Sequence, residues 1–231
     1  MPAYFTKDFI KFLKDLEKNN NRDWFKANKK RFDEDVKAPF EHFIGVMIDK
    51  MQEKDPGIII TPKDAIFRIY RDVRFSKNKT PYKTHFGGSF HRIKPKLRGG
   101  YYVHIAPNNE SFIATGFWEP NREDLLRIRK EFEIDDAEIR TIINDPTFKS
   151  IWGEFQGDEV KTAPKGFSKE HKAIDLIRKK QFIFTKKYTD KEVTSGDFMN
   201  KVDEDFKAIR PFFNYMSEVL TTDLNGVSLL D

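Results

Sequence analysis

The hydrophobic pattern of the chain changes at residue 58 from a helical period to an alternating one. Up to residue 55, large apolar residues recur three or four positions apart, which is the spacing of one helix face. Residues 86–117 instead contain short apolar or alternating runs separated by Gly, Pro and Asn turns. These turns are too short to hold crossover helices, so neighbouring strands must run antiparallel. The pattern therefore predicts an α+β fold built on an antiparallel sheet.

We expect the central strands of this sheet within about residues 64–117 and a late strand at about 181–187. Helices are predicted on both sides, over 5–55 and through most of 121–221. Thr6 and Asn121 each precede an amphipathic run, which makes them predicted N-caps. Pro211 falls inside the last helical pattern, so we expect that helix to break or kink there.

The length of 231 residues suffices for one sizeable hydrophobic core. We found no internal repeat and no low-complexity linker, so we predict a single domain over residues 1–231. Within it, residues 58–118 form the predicted sheet-rich core. The 23 phenylalanines indicate that large aromatic side chains dominate the packing.

Positive charge is concentrated in residues 67–98, which carry a net charge of +9. The whole chain carries only +5, so the remaining residues are net negative. Only Asp72 opposes the ten cations of the segment, which are Arg68, Arg71, Arg74, Lys77, Lys79, Lys83, Arg92, Lys94, Lys96 and Arg98. Clustered cations attract anions and do little to specify a fold. The segment therefore predicts a binding surface for an anionic partner.

Several classes of protein are disfavoured by what the chain lacks. It has no cysteine, so it has neither disulfides nor a thiol nucleophile. Lys and Asp interrupt every apolar run near the first residue, so we expect no signal peptide, no membrane association and a cytoplasmic location. Asn78-Lys79-Thr80 lacks the glycines of a phosphate loop, and no Gly-x-Gly-x-x-Gly occurs, so no cofactor is predicted. The sequence does not indicate an oligomeric state.

Arg71 occupies an unusual position in the predicted strand over residues 67–75. Alternation places Phe67, Ile69, Val73 and Phe75 on one face of that strand, and Arg71 falls on the same apolar face. A buried guanidinium is costly unless it meets a carboxylate or an anionic ligand. Two alternatives stay open: an internal ion pair, or a contact with a bound anion.

Histidine is the residue type whose ordinary pKa suits acid–base chemistry near neutral pH. His85 directly follows the basic loop and is the candidate catalytic residue. His91 and His104 lie on neighbouring predicted strands, and three imidazoles on adjacent strands can bind a metal ion. No acidic ligand cluster or His-x-Glu-x-x-His pattern accompanies them, so we predict no metal site.

The basic segment predicts a site for a small anionic ligand, phosphorylated or carboxylated, in a basic cleft, with or without enzymatic turnover. Its candidate ligand-binding residues are Arg68, Arg71, Arg74, Lys77, Lys79, Tyr82 and Lys83. Cations interleaved with aromatic residues also suit single-stranded nucleic acid, which gives a non-enzymatic nucleic-acid-binding module as the first alternative. A protein-interaction domain without a small ligand is the second.

Three motifs carry a resemblance to a known family: RDVRFSKNKTPYKTHFGG, NNNRDWFKANKKRF near the start, and TAPKGFSKEH later in the chain. Together they resemble a family of uncharacterised bacterial and fungal proteins, a domain of unknown function that covers most of residues 5–220. The resemblance implies an intact single domain and a cytoplasmic setting. It transfers no activity and no catalytic residue. The segment SFIATGFWEP is less glycine-rich than the family pattern and keeps Gly116.

Overall fold

The structure is a computed structural model that describes residues 2–92 and 98–230. Its strands are β1 (Phe86–His91), β2 (Gly100–Ile105), β3 (Ser111–Phe117) and β4 (Phe182–Tyr188). Its helices are α1 (Lys7–Lys18), α2 (Arg22–Ala27), α3 (Lys29–Phe32), a π-helical turn (Asp33–Lys37), α4 (Ala38–Lys54), α5 (Pro62–Ala65), α6 (Arg122–Ile134), α7 (Ala137–Asn144), α8 (Pro146–Trp152), α9 (Ile174–Ile177), α10 (Asp190–Val193), α11 (Phe198–Ala208) and α12 (Arg210–Thr221).

The four strands form one antiparallel sheet in the order β1-β2-β3-β4. The turn between β2 and β3 contains Asn108 and Asn109 at positive φ angles of 66° and 61°, which Asn adopts more readily than most residues. Strand β4 pairs with β3 although residues 118–181 lie between them in the chain. The predicted α+β fold with an antiparallel sheet is therefore confirmed. The late strand β4 begins and ends one residue later than predicted.

The two predicted N-caps and the predicted helix break near Pro211 are confirmed. The Thr6 side chain accepts a hydrogen bond from the Phe9 N–H at the start of α1. Asn121 does the same for the Asp124 N–H at the start of α6. The predicted break near Pro211 is the boundary at Ile209 between α11 and α12, and Pro211 lies in the first turn of α12, where its missing N–H costs nothing.

Contacts between Cα atoms define two compact units. Unit 1 comprises Met1–Phe90, Tyr102–Ile113 and Lys187–Glu204. Unit 2 comprises His91–Tyr101, Ala114–Lys186 and Asp205–Asp231. Each unit is assembled from segments that are distant in sequence. The prediction of a single domain stays a prediction.

Unit 1 has a core of packed phenylalanines. The ring of Phe5 lies 4.7 Å from that of Phe9 and 4.9 Å from that of Phe43, measured between centroids. Phe43 in turn stacks on Phe198 at 5.8 Å. Such pairs add to the free energy of burying the rings, about 0.5–1.5 kcal/mol each. This core fixes helices α1 and α4 of unit 1, because Phe9 and Phe43 belong to them.

Unit 2 has its own aromatic core. Phe184 of β4 contacts Phe212 of α12 at 5.2 Å, and Phe182 contacts Phe132 of α6 at 5.8 Å. All four side chains are buried. Large aromatic side chains therefore dominate the packing of both units, as the composition indicates.

The predicted strand over residues 67–75 is wrong. Among the described residues, this segment forms only isolated bridges, Ile66 with Gly88 and Tyr70 with Tyr82. Ile69 is buried as predicted, but Phe75, placed on the same apolar face, is 97% exposed. The ladder cannot extend past Tyr70 and Tyr82 in a regular way, because Pro81 has no N–H to donate. The sheet therefore begins at β1.

Across residues 2–92 and 98–230, none of the helices combines the length and the apolar character that crossing a membrane requires.

Candidate functional site

Residues 67–85 form a two-armed loop, which we call the basic hairpin. Its arms pair antiparallel, with the Arg71 N–H donating to the Pro81 carbonyl at 2.9 Å and the Lys83 N–H donating to the Ile69 carbonyl at 2.8 Å. At its base, the Phe67 N–H donates to the carbonyl of Gly87 in β1 at 2.9 Å. The hairpin therefore projects from the edge strand of the sheet, and it lies entirely in unit 1.

An asparagine before α2 holds one arm of the basic hairpin. The Asn20 amide donates to the Tyr82 carbonyl at 3.0 Å and accepts from the Tyr82 N–H at 3.1 Å, so it mimics a backbone partner. Phe25 stacks on the Tyr82 ring at 4.0 Å. The motif NNNRDWF thus meets the motif TPYKTH in space. Tyr82, a predicted ligand-binding residue, is buried in these contacts.

Arg71 lies half-buried between the two arms. Its guanidinium donates to the carbonyl oxygen of Thr80 at 3.3 Å, to the Thr80 hydroxyl, and to the Ser76 hydroxyl at 3.4 Å. Within the described parts of the chain, no carboxylate pairs with it. Arg71 therefore forms no internal ion pair with these residues. Its guanidinium is hydrogen-bonded to neutral oxygen atoms.

Residues 72–80 form the end of the hairpin, which we call the tip loop. Arg74 forms an ion pair with Asp72, with 2.6 Å between Nη2 and Oδ2, and this pair is exposed. The Lys79 ammonium donates to the Val73 carbonyl at 2.9 Å. Lys77 is exposed. These three cations face solvent at the far end of the hairpin.

The base of the hairpin adjoins a stack of three rings on one face of the sheet, which we call the imidazole stack. His85 stacks on His104 of β2 with 4.0 Å between ring centroids, and His104 stacks on Phe112 of β3 at 4.5 Å. All three side chains are half-buried. Their neighbours Val103 and Ile113 point to the opposite, buried face, as strand alternation requires.

Tyr102 lies beside the imidazole stack, two residues before His104. Its hydroxyl and the Nδ1 atom of His104 are 2.9 Å apart, so the phenol can donate to the imidazole. The ring covers Gly87, where an added Cβ would lie 2.8 Å from the Tyr102 hydroxyl. Gly87 therefore provides room for this phenol and for the Val103 carbonyl oxygen of β2, which would lie 3.0 Å from the same Cβ.

Electrostatic effects at the base of the hairpin keep both histidines neutral. Burial, and secondarily the charge of Lys83, lowers the pKa of His85 to about 4. Burial, then His85 and Lys83, lowers the pKa of His104 to about 3. Burial raises the pKa of Tyr102 to about 12. At neutral pH the site therefore contains two neutral imidazoles and a protonated phenol.

Lys83 is the cation whose charge lowers the pKa values of both histidines. Burial, and secondarily Arg68, lowers its pKa. Its ammonium lies 5.3 Å from the centroid of the Phe67 ring, a cation–π contact. Lys83 has no carboxylate partner among the residues that the structure describes, whereas Arg68 lies near Asp72, whose pKa is lowered mainly by hydrogen bonds from Arg74 and to a smaller extent by the charge of Arg68. The half-buried ammonium of Lys83 is thus a positive charge without an internal counter-ion among the described residues.

The structure divides the predicted site residues along the hairpin. Lys83 and His85 lie at its base, where Arg68 acts on Lys83. Arg74, Lys77 and Lys79 lie in the tip loop and are not among the groups that shift the histidines' pKa values. Arg71 and Tyr82 lie between and are engaged in holding the arms together. The predicted residues are therefore not one cluster.

The second part of the basic segment belongs to unit 2. Arg92 is buried, donates to the Ser217 hydroxyl at 2.8 Å and lies over the Phe213 ring. Arg98 forms an ion pair with Asp124. Lys94 and Lys96 lie outside the described residues. Arg92 and Arg98 are therefore structural cations.

Sequence reasoning left Tyr102, His104 and Phe112 out of the ligand site. The available signal was the alternation of β2 and β3, in which polar and aromatic residues occupy the face opposite Val103 and Ile113. What the sequence could not provide was the register that brings His85 against His104. No group of three or more metal-binding side chains forms within residues 2–92 and 98–230.

The comparisons with known proteins identify the family. A family model described as "Conserved hypothetical protein (DUF2461)" matches residues 8–215. The chain therefore belongs to the DUF2461 family, which confirms the resemblance to a family of uncharacterised proteins. A search of the curated proteins and a search of the solved structures each found no match. The function must accordingly be argued from the site.

Proposed function

We propose that the protein binds a small phosphorylated or carboxylated ligand at the base of the basic hairpin. One observation carries the proposal. Lys83, His85 and His104 can each take a positive charge, all three have lowered pKa values, and no carboxylate of the described residues accompanies them. Cations in a part-buried setting ordinarily have an acidic partner. An anion from outside supplies the missing counter-charge.

The geometry suits such a ligand. Lys83 provides a point charge, and Arg68, which is exposed, can add a two-pronged contact with phosphate or carboxylate oxygens. Tyr102 stays protonated and can donate its hydroxyl proton to Nδ1 of His104, which leaves the Nε2–H of the neutral His104 imidazole as a donor to a ligand oxygen. The aromatic rings of Phe67 and Phe112 offer an apolar surface for the rest of the ligand.

His85 is the candidate group for proton transfer. With a pKa of about 4 it is neutral and holds no proton to give at neutral pH. A bound anion lowers the cost of charging the imidazole, so the pKa of His85 rises when the ligand is present. Turnover by acid–base catalysis would then be limited to the complex, where the histidine pKa approaches neutrality.

A thermal-shift screen at constant ionic strength tests the proposal. Its panel contains phosphate, sugar phosphates and dicarboxylates, with chloride as the reference. A ligand at about a hundred times its dissociation constant stabilises the folded state by about 2.7 kcal/mol. We expect one compound class to raise the melting temperature of the wild type and of Lys77→Gln, a control in the tip loop, but not of Lys83→Gln. The proposal is overturned if no anion acts beyond chloride, or if both variants respond like the wild type.

A further inference from the structure

The tip loop presents an aromatic side chain in an unusual way. Phe75 is 97% exposed, although the loop around it is well braced. Arg71 connects Thr80 and Ser76 across the loop, and the Asn78 side chain accepts from the Thr80 N–H at 2.9 Å. The polar side chains thus hold the loop in shape while the phenylalanine ring points into solvent. The face of this ring is electronegative, so it does not attract a small anion.

Two further aromatic rings lie on the same hairpin. Phe67 is 42% exposed and Tyr70 is 51% exposed. Tyr70 rests on Tyr82 at 5.4 Å, and Tyr82 stacks on Phe25, so the inner side of Tyr70 is fixed while its outer side is free of protein cover. The hairpin therefore carries exposed aromatic surface on its first arm and at its tip.

Cations alternate with these rings. Residues 71–80 contain Arg71, Arg74, Lys77 and Lys79 against Asp72, a net charge of +3. The Arg74 guanidinium lies 5.9 Å from the centroid of the Phe75 ring. Phosphates bind such cations and unstacked bases bind such rings, which is how proteins hold single-stranded nucleic acid.

We infer that the tip loop, together with Tyr70 of the adjoining arm, is a binding surface for single-stranded nucleic acid, with Phe75 and Tyr70 as base-stacking residues and Arg74, Lys77 and Lys79 as phosphate contacts. A base pair in a duplex does not offer its face to a projecting ring, which favours the single strand. One projecting phenylalanine buries too little apolar area to anchor a membrane, which disfavours a lipid surface. This surface is separate from the base of the hairpin, so it goes beyond the small-anion site.

Fluorescence anisotropy with labelled oligo(dT) and oligo(U) of about 12 nucleotides tests this inference on the full chain. We expect Phe75→Ala to weaken binding about 5- to 150-fold, because stacking on one aromatic ring contributes that much. Trp118→Ala is the matched control, since Trp118 is also 61% exposed but lies outside the hairpin, and it should bind like the wild type. The two oligonucleotides show whether DNA or RNA is preferred.

Charge variants test the phosphate contacts separately. Lys77→Ala should weaken binding for every sequence and reduce the slope of log affinity against log salt by about 0.7. Asp72→Asn should tighten binding, because it removes the carboxylate that pairs with Arg74 but keeps an oxygen for the Arg74 N–H. Unchanged or weaker binding in Asp72→Asn contradicts the role given to Arg74.

The inference is overturned if neither oligonucleotide binds, or if Phe75→Ala and Trp118→Ala change the oligonucleotide affinity to the same extent. It is also overturned if vesicles of anionic phospholipid bind in a Phe75-dependent manner while the oligonucleotides do not. Because Phe75 is exposed, its replacement leaves the fold intact, which a melting curve confirms. Phe75→Ala should also keep the anion response that Lys83→Gln loses, so this inference and the proposed function fail independently.

Discussion

His85 and His104 illustrate how burial sets the chemistry of single residues in this protein. Each imidazole is stacked against the other at 4.0 Å, with Lys83 near enough to oppose their protonation. Two adjacent imidazolium ions at this distance would repel each other. The neutral state of the pair is therefore part of the folded structure.

The stability of the protein should fall as pH falls from about 6.5 toward 4. Both histidines have lower pKa values in the folded state than the ordinary 6.5, so the unfolded chain binds more protons in this range. Their contribution is complete above pH 6.5 and is lost as pH approaches the folded values. Urea denaturation across this range should show a shallower loss for His104→Gln than for the wild type. The exposed His91→Gln serves as the control, and equal slopes in all three proteins would refute the prediction.

Gly87 is required by its surroundings and not by its backbone angles. A Cβ there would lie 2.8 Å from the Tyr102 hydroxyl and 3.0 Å from the Val103 carbonyl oxygen, and the carbonyl cannot move aside. Gly87→Ala should lower the free energy of unfolding by about 1–3 kcal/mol. Gly45→Ala in α4 is the opposite case, because its nearest neighbour would be Pro62 at 3.8 Å. It should raise stability by about 0.5–1 kcal/mol, and a loss in both variants would contradict the steric argument.

At the level of elements, the basic hairpin is where sequence reasoning was least successful. Alternating residues over 67–75 indicate a strand, but this pattern does not reveal whether a partner with free N–H and carbonyl groups is available. Here no such partner is available, because Pro81 has no N–H to donate. The side chains of Arg71 and Lys79 also donate to the carbonyls of Thr80 and Val73. Strands β2, β3 and β4 were predictable because their turns and apolar runs are local signals.

The candidate site was predictable only in part, for the same reason. Lys83 and His85 follow from residue type and from their position after the basic loop. Tyr102 and His104 join them through the register between β1 and β2, which is a long-range property. Arg92 and Arg98 look in the sequence like members of the charged surface, and only the packing of unit 2 shows them engaged with Ser217 and Asp124.

Asn20 should determine how firmly the hairpin is held. Asn20→Ala removes both hydrogen bonds to the Tyr82 backbone, and leaving those groups unpaired should cost about 1–3 kcal/mol. Asn19→Ala is a matched control, because Asn19 is exposed and its side-chain amide donates to the Asp15 carbonyl of the preceding helix α1. Hydrogen exchange at Tyr82 and Lys83 should be faster in Asn20→Ala alone. Unchanged protection there would mean that Asn20 does not anchor the arm.

For the whole molecule, the net charge of +5 conceals two kinds of cation. Those in unit 2 with established partners, such as Arg92 and Arg98, serve the fold. Those on the basic hairpin, such as Lys83 and Lys77, lack acidic partners within the described residues and are available to ligands. The distribution of partners, more than the sum of charges, therefore supports the proposed anion site at the base of the basic hairpin.

The most direct test of the anion site is an NMR titration of the histidine side chains with sulfate, whose charge is constant across the pH range, against chloride at equal ionic strength. We predict that sulfate shifts the His85 and His104 resonances and raises the pKa of His85 from about 4 toward its ordinary value. The shifts should vanish in Lys83→Gln and persist in Lys77→Gln. Resonances and pKa values that respond identically to sulfate and chloride would contradict the assignment of an anion site to the base of the basic hairpin.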